Sequence, residues 1–308
     1  MAVWNGIITF SHFSVPCWFA GQGHFKSVDG ADLFARFCDR AMRHLGDRIA
    51  YAVTLNEPNV SALLRVVALP PAFMSGIREM LDAAARASGM SGLASALFSE
   101  QDVTPAMVSA HIKAYQAIKS SRPDLPVGIG LAVEDDQLVG EDDRYRAAKR
   151  QAVYAPWFEV TRTHADFIGV RNYTRRRYDA TGLVPPPRGA PMASDGREIY
   201  PASLGNSVRY AHQATGKPVL ITESGIAASD DMLRQAYIPQ SLKGLKAVMD
   251  EGVPVLGYTH WSLLDNFEWV SGYGPQFGLV SVDRKNFARQ VKPSARILGA
   301  IARRNRLS

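Results

Sequence analysis

Hydrophobic and polar positions divide this chain into short apolar runs separated by longer amphipathic stretches. Six runs stand out: "GIITFSHF" (Gly6–Phe13), "IAYAVTLNE" (Ile49–Glu57), "VGIGLA" (Val127–Ala132), "DFIGVRNY" (Asp166–Tyr173), "PVLITES" (Pro218–Ser224) and "VLGYTHWS" (Val255–Ser262). Most are nearly continuous rather than alternating, which predicts strands covered on both faces. Helical periodicity fills the gaps. In "ADLFARFCDRAMRHLG" the residues Leu33, Phe34, Phe37, Ala41 and Leu45 form one stripe, with Gly46 as the stop. "TPAMVSAHIKAYQAIKSS" offers Thr104 as cap, Pro105 at the first helical position, and Val108, Ile112 and Tyr115 on a common face. A third helix is predicted after Asp230 or Asp231, interrupted or kinked near Pro239 and ending before Gly252. Strand alternating with helix implies parallel βα units. Longer insertions cover residues 62–100 and 174–200, and the second, rich in Pro and Gly, is predicted as a loop.

With 308 residues, 46% of them hydrophobic and 21% charged, the chain has the composition of a soluble globular protein. No shift in composition marks a second domain, so one domain over residues 1–308 is expected. No apolar run is long enough to cross a bilayer, and "MAVWNGIITF" has neither a basic n-region nor a small-residue cleavage site. The expectation is a cytoplasmic protein without a membrane partner. Cys17 and Cys38 lack a histidine cluster and are predicted as plain buried thiols, with neither a metal site nor a cofactor. The net charge of +6 raises the question of nucleic acid. The basic runs "RNYTRRR" (Arg171–Arg177) and "RRNR" (Arg303–Arg306) carry no nucleic-acid motif, which favours a solvated basic face and no nucleic-acid partner.

Ligands of parallel βα arrays bind at the C-terminal ends of the strands. The polar residues that finish the apolar runs are His12, Asn56, Glu57, Arg171, Tyr173, Glu223, His260 and Trp261. Two glutamates therefore stand at the ends of different strands. A carboxylate pair suits glycoside hydrolysis, one member protonating the leaving oxygen while the other attacks the sugar carbon or activates water. A capping or ion-paired carboxylate is the alternative for each taken singly.

Longer motifs narrow the choice. "TLNEPN" resembles the Asn-Glu-Pro motif of family 1 glycoside hydrolases, and "LITESG" resembles that family's Thr-Glu-Asn-Gly motif with Ser224 in place of Asn. "YTHWSLLDNFEWVSGYGPQFGLVSVD" (Tyr258–Asp283) is similar to the C-terminal signature, "FSHFSVPCWF" to the third-strand motif and "DFIGVRNYT" to the sixth-strand segment, all in family order. The resemblance implies a TIM-type (β/α)8 barrel, here incomplete, with about six βα units and the first two strands missing. It implies a retaining β-glycosidase acting on a small-molecule β-glycoside or oligosaccharide, with Glu57 as acid/base and Glu223 as nucleophile. Asn56 would bond the sugar 2-OH, Tyr173 would hold Glu223, His12, Glu268 and Trp269 would bind hydroxyls, and Trp261 would form the apolar floor. A glutamate at position 268 would repel phosphate and favours an unphosphorylated hexoside. For His12 the alternative is a structural histidine, and for Trp261 and Trp269 it is core packing.

The resemblance also implies losses. The family's second strand carries an arginine beside the nucleophile, and its loss removes a positive neighbour, so Glu223 is expected to have a higher pKa than in the family. Arg171 and Gln276 stand where the family has Asn and often Arg. Two missing strands would leave parallel edges exposed, which invites a homo-oligomer that covers them. A working glycosidase and a weakly active or inactive carbohydrate-binding or interaction protein both remain open.

Overall fold

The computed structural model describes residues 6–67 and 70–307. The strands are β1 (Gly6–Ser11), β2 (Ile49–Asn56), β3 (Val127–Ala132), β4 (Asp135–Leu138), β5 (Phe167–Asn172), β6 (Arg175–Asp179), β7 (Gly182–Val184), β8 (Val219–Ser224), β9 (Val255–Tyr258), β10 (Val280–Val282) and β11 (Arg289–Val291). The helices are α1 (Cys17–Gly21), α2 (Gly30–Leu45), α3 (Val60–Val67), α4 (Pro71–Ala87), α5 (Thr104–Ser121), α6 (Arg144–Val153), α7 (Ala155–His164), α8 (Ser203–Thr215), α9 (Asp231–Asp250) and α10 (Pro293–Arg304). The six predicted apolar runs are β1, β2, β3, β5, β8 and β9. The chain forms two compact units, one running to residue 132 and resuming over 148–169, the other made of 133–147 and 170 onward. Strand β5 is shared, its first three residues lying in one unit and its last three in the other.

In the first unit β1, β2 and β3 are neighbours in that order, with Thr9 opposite Val53 and Ala52 opposite Val127 in parallel register. The start of β5 follows beside β3, where the Asp166 N–H donates to the Val127 carbonyl at 2.7 Å. Gly128 permits that approach, because a Cβ there would lie 2.5 Å from the Phe167 ring. In the second unit the end of β5 is followed by β8 and β9, with Val219 opposite Val255 in parallel register. A second sheet, β4-β6-β7, and the antiparallel pair β10–β11 complete that unit. Every residue of β3, β5 and β8 is buried, as continuous apolar runs require. Among the described residues β1 pairs only with β2 and β9 only with β8, and both are partly exposed.

The helices differ from the predicted stripes. The buried line of α2 is Phe34, Cys38 and Met42, whereas Phe37 is 52% exposed. An i, i+4, i+8 line runs almost straight along a helix, and its middle position here is a cysteine, which the leucine and phenylalanine pattern passed over. In α5 the buried residues are Thr104, Met107, Ala110, His111, Ala114 and Ile118, so a polar-looking face is the inner one. Thr104 is inside that helix, and its N–H is received by the Asp102 carboxylate at 3.1 Å. Gly46 is right-handed and leads into a 3-10 turn (Gly46–Arg48), so it is no left-handed stop. Helix α9 continues through Pro239. The 62–100 insertion carries most of α3 and all of α4, and β6 and β7 lie in the one predicted as a loop. Both cysteines are free, but Cys17 is exposed and only Cys38 is buried.

His111 explains the polar face of α5. The Thr54 hydroxyl lies 2.7 Å from its Nδ1, and the His164 carbonyl lies 2.9 Å from its Nε2. A carbonyl only accepts, so Nε2 carries the proton and Nδ1 accepts from Thr54. Burial lowers the imidazole from its ordinary 6.5 to about 4, against the opposing pull of the His164 carbonyl. The unfolded chain therefore takes up this proton first. The contribution is whole above pH 6.5 and is lost as pH falls toward 4, by up to about 3 kcal/mol. The urea midpoint should accordingly fall between pH 7 and pH 4.5, and His111→Gln should lower it at pH 7 while flattening that dependence. In α2, Phe34→Ala should cost about 3–5 kcal/mol in urea unfolding and Phe37→Ser under about 1 kcal/mol.

Candidate active site

In the first unit the end of β2 is bent by its own sequence. Glu57 follows Asn56 with φ +44°, a left-handed conformation that costs a non-glycine residue about 1–2 kcal/mol. Such strain persists only where neighbours fix it, and it concentrates at functional sites. Here the Glu57 N–H donates to the Gly130 carbonyl at 2.7 Å, and Pro58 ends the ladder. Asn59 then clamps the turn to β3: its Nδ2 donates to the Ala132 carbonyl at 2.8 Å, and its Oδ1 receives the Ala132 N–H at 3.0 Å. Glu57 is left half-buried. Beside it Asn56, 3% exposed, has no hydrogen-bond partner for either amide atom, and the Ser61 hydroxyl has none. Both residues line a cavity of about 20 Å³ together with Ser11, His24 and Glu57, enough for one water or the edge of a ligand hydroxyl. Burial lowers His24 to about 4, so it is neutral at pH 7, and its Nδ1 accepts the Phe25 N–H at 2.9 Å. His12 lies just beyond β1, half-buried, with its ring edge-on to Phe13.

In the second unit β5 delivers three polar residues in alternation. Asn172 is fully satisfied: its Nδ2 donates to the Val133 carbonyl, the Thr174 carbonyl and the Ser207 hydroxyl, and its Oδ1 accepts from Ser203 at 2.7 Å. Its neighbours in the sequence, Arg171 and Tyr173, both reach Glu223 at the end of β8. The Tyr173 hydroxyl donates to Glu223 Oε2 at 2.6 Å, and Arg171 Nε lies 2.9 Å from Oε1. The guanidinium and the carboxylate are 2% and 8% exposed. The Arg171 Nε–H is not directed along a hydrogen bond, and Nη1 has no partner, so charge rather than a linear bond carries the contact. Arg197 adds a second cation, 5.0 Å from the centre of the Tyr173 ring.

The chain after β8 is fixed by close approach. A Cβ on Gly225 would lie 2.1 Å from the Trp261 carbonyl, so only glycine lets the segment after Glu223 and the one carrying Trp261 meet. The Trp261 N–H donates to the Ser224 carbonyl at 3.0 Å. Trp261 and Glu268 are half-buried, and Trp269 opens a 3-10 turn with φ +50°. Burial, reinforced by the negative charge of Glu223, pushes the Glu268 carboxyl up from its ordinary range, while the Trp261 side chain and Arg197 oppose this. His260 is lowered to about 3, mainly by burial and further by Arg234, and its Nδ1 lies 2.9 Å from the Tyr258 hydroxyl.

Glu223 has a cationic neighbour on β5, Arg171. One expectation is corrected here. The run Arg171–Arg177 is not a solvated basic face, because Arg175 pairs with Glu198 at 2.7 Å and Arg176 with Glu134 at 2.8 Å. The signal for Arg171 was an arginine inside a fully apolar run, where a charge is rarely buried without a partner. Arg197 had no such signal, since it lies in the insertion predicted as a loop.

Parallel βα units with polar residues gathered at the strand ends are the pattern of a βα-barrel fold. The chain belongs to glycosyl hydrolase family 1, whose profile matches residues 3–166 and 159–307. A beta-glucosidase termed 1317, solved in its apo form, is 36% identical with a TM-score of 0.90, over 97% of this chain and 74% of that one. The beta-glycosidase BGL167 is 38% identical with a TM-score of 0.88, over 98% of this chain and 73% of that one. A beta-glucosidase of Agrobacterium sp. is 31% identical over 351 residues, 97% of this chain and 72% of its own length. A chloroplastic galactolipid galactosyltransferase of Arabidopsis thaliana, SFR2, is 29% identical over 98% of this chain. The chain spans about half the length of that relative and of its rice counterpart, 48% and 47%. Its six parallel strands are thus part of the family's (β/α)8 barrel. Among the described residues no helix is long and apolar enough to cross a membrane.

Gly225→Ala tests the close approach. It should destabilise the protein by roughly 2–4 kcal/mol in urea unfolding, with Gly92→Ala, where nothing lies within 4 Å, costing clearly less.

Proposed function

We propose that the chain is a retaining β-glycosidase acting on unphosphorylated β-D-glycosides. The observation that carries this is Glu223, a buried carboxylate at the C-terminal end of β8 gripped on both oxygens, by Tyr173 and Arg171, in a family 1 chain. In the first step a Glu223 oxygen attacks the anomeric carbon, the bond from that carbon to the aglycone oxygen breaks, and Glu57 gives that oxygen its proton. In the second step water attacks the same carbon and the ester to Glu223 breaks. Glu57 takes the proton released by the water and is restored. Glu57 suits a residue that gives and takes a proton because it is half-buried and held through its backbone.

The remaining roles follow the family motifs. Asn56 holds the sugar 2-OH, and its unpartnered amide supports that role. His12, Glu268 and Trp269 bind hydroxyls, and Trp261 supports the apolar face of the ring. Glu268 also has an unpartnered oxygen, Oε2, that can accept from a hydroxyl, and its charge disfavours a phosphorylated sugar.

Incubation with nitrophenyl β-glucoside should release nitrophenol at a rate reduced at least about 10³-fold in Glu223→Gln. A 2-deoxy-2-fluoro glucoside should add one sugar mass to Glu223. Absence of release above background, with glucose still bound by calorimetry, would overturn turnover and leave a carbohydrate-binding protein.

A further inference from the structure

A charged residue has no ordinary place in β5. The strand reads "FIGVRN", and every residue in it is buried. An arginine taken out of water there loses solvation that only a paired anion and good geometry restore. The guanidinium cannot escape by losing its proton, so its charge is permanent. The anion it meets is Glu223, with Nε 2.9 Å from Oε1. On the other oxygen Tyr173 donates a hydrogen bond of 2.6 Å. Strand alternation sends Arg171 and Tyr173 the same way, and Asn172 between them is anchored to Ser203 and Ser207 of α8.

We propose that Arg171 is a positioning residue for Glu223, its buried guanidinium fixing the orientation from which that carboxylate attacks. The inference rests on the reading of Glu223 as the nucleophile. The Tyr173 hydroxyl bonds one oxygen of the carboxylate, and the guanidinium places its charge against the other. The fixed positive charge also stabilises the carboxylate as it leaves the sugar in the second step, so both chemical steps depend on it.

The test compares Arg171→Met and Arg171→Lys with the unaltered protein. Arg171→Met should lower kcat on the aryl glucoside about 100-fold with KM changed less than about threefold. Arg171→Lys, which returns a charge without the fork, should recover about tenfold of that loss. Turnover by Arg171→Met within about threefold of the unaltered protein, or a loss confined to KM, would overturn the proposal. A double-mutant cycle in urea unfolding separates this outcome from failure of the nucleophile reading. Arg171→Met and Glu223→Gln should couple by about tenfold or more in the unfolding constant at pH 7. If the unaltered protein neither turns over nor is trapped, that coupling still establishes the hold of Arg171 on Glu223, and its absence overturns it. Should Arg171→Met not fold, the double variant, which has no buried charge, should fold. Equal failure of both would overturn the proposal.

Discussion

The contact between Arg171 and Glu223 is the constraint around which the second unit is arranged. Each charge is buried, and each would be costly alone, since removing either partner leaves the other unpaired in a medium that solvates it poorly. The two sit on neighbouring strands, so the pair ties the end of β5 to the end of β8. Buried ion pairs are weak evidence for stability, because well-packed apolar residues often replace them without loss. One kept at the C-terminal end of a parallel strand, where βα folds place their chemistry, is better explained by what the carboxylate does.

The neighbouring residues are arranged to make that contact reproducible. Asn172 spends its whole hydrogen-bonding capacity on Val133, Thr174, Ser203 and Ser207, which locks the register from which its two neighbours project. Arg197 lies against the ring of Tyr173, and Gly225 allows the Trp261 carbonyl to close on the turn after Glu223. The adjacent cations are likewise claimed, Arg175 by Glu198 and Arg176 by Glu134. A segment with six arginines among residues 171–197 therefore presents far less free charge than its composition implies.

What could be read in the sequence followed from how strongly each feature is dictated locally. Strands such as β3 and β8 were legible because a strand buried on both faces leaves almost no freedom in residue type. The inner faces of α2 and α5 were not, because Cys38 and His111 occupy buried positions that a search for large apolar side chains skips. His111 is admitted by a threonine on β2 and the carbonyl of the last residue of α7, partners far away in the chain. Glu57 and Glu223 stood out as polar ends to apolar runs. The apolar run around Arg171 signalled a buried partner but did not name it, and Arg175 and Arg176 carried no such signal, because a basic run looks the same whether it meets water or separate carboxylates.

The two carboxylates are placed by different physics. Glu57 is set by main chain: a left-handed φ, a hydrogen bond from its own N–H to Gly130, a proline after it, and an asparagine clamping the turn to Ala132. Those restraints act on the backbone and would hold a glutamine or an aspartate at the same point. Glu223 lies in regular strand, and its side chain is set by side chains, a guanidinium and a phenol that recognise a carboxylate specifically. On the reading proposed above, a residue that gives and takes a proton needs its backbone placed, and one that attacks needs its carboxylate oriented by the groups beside it.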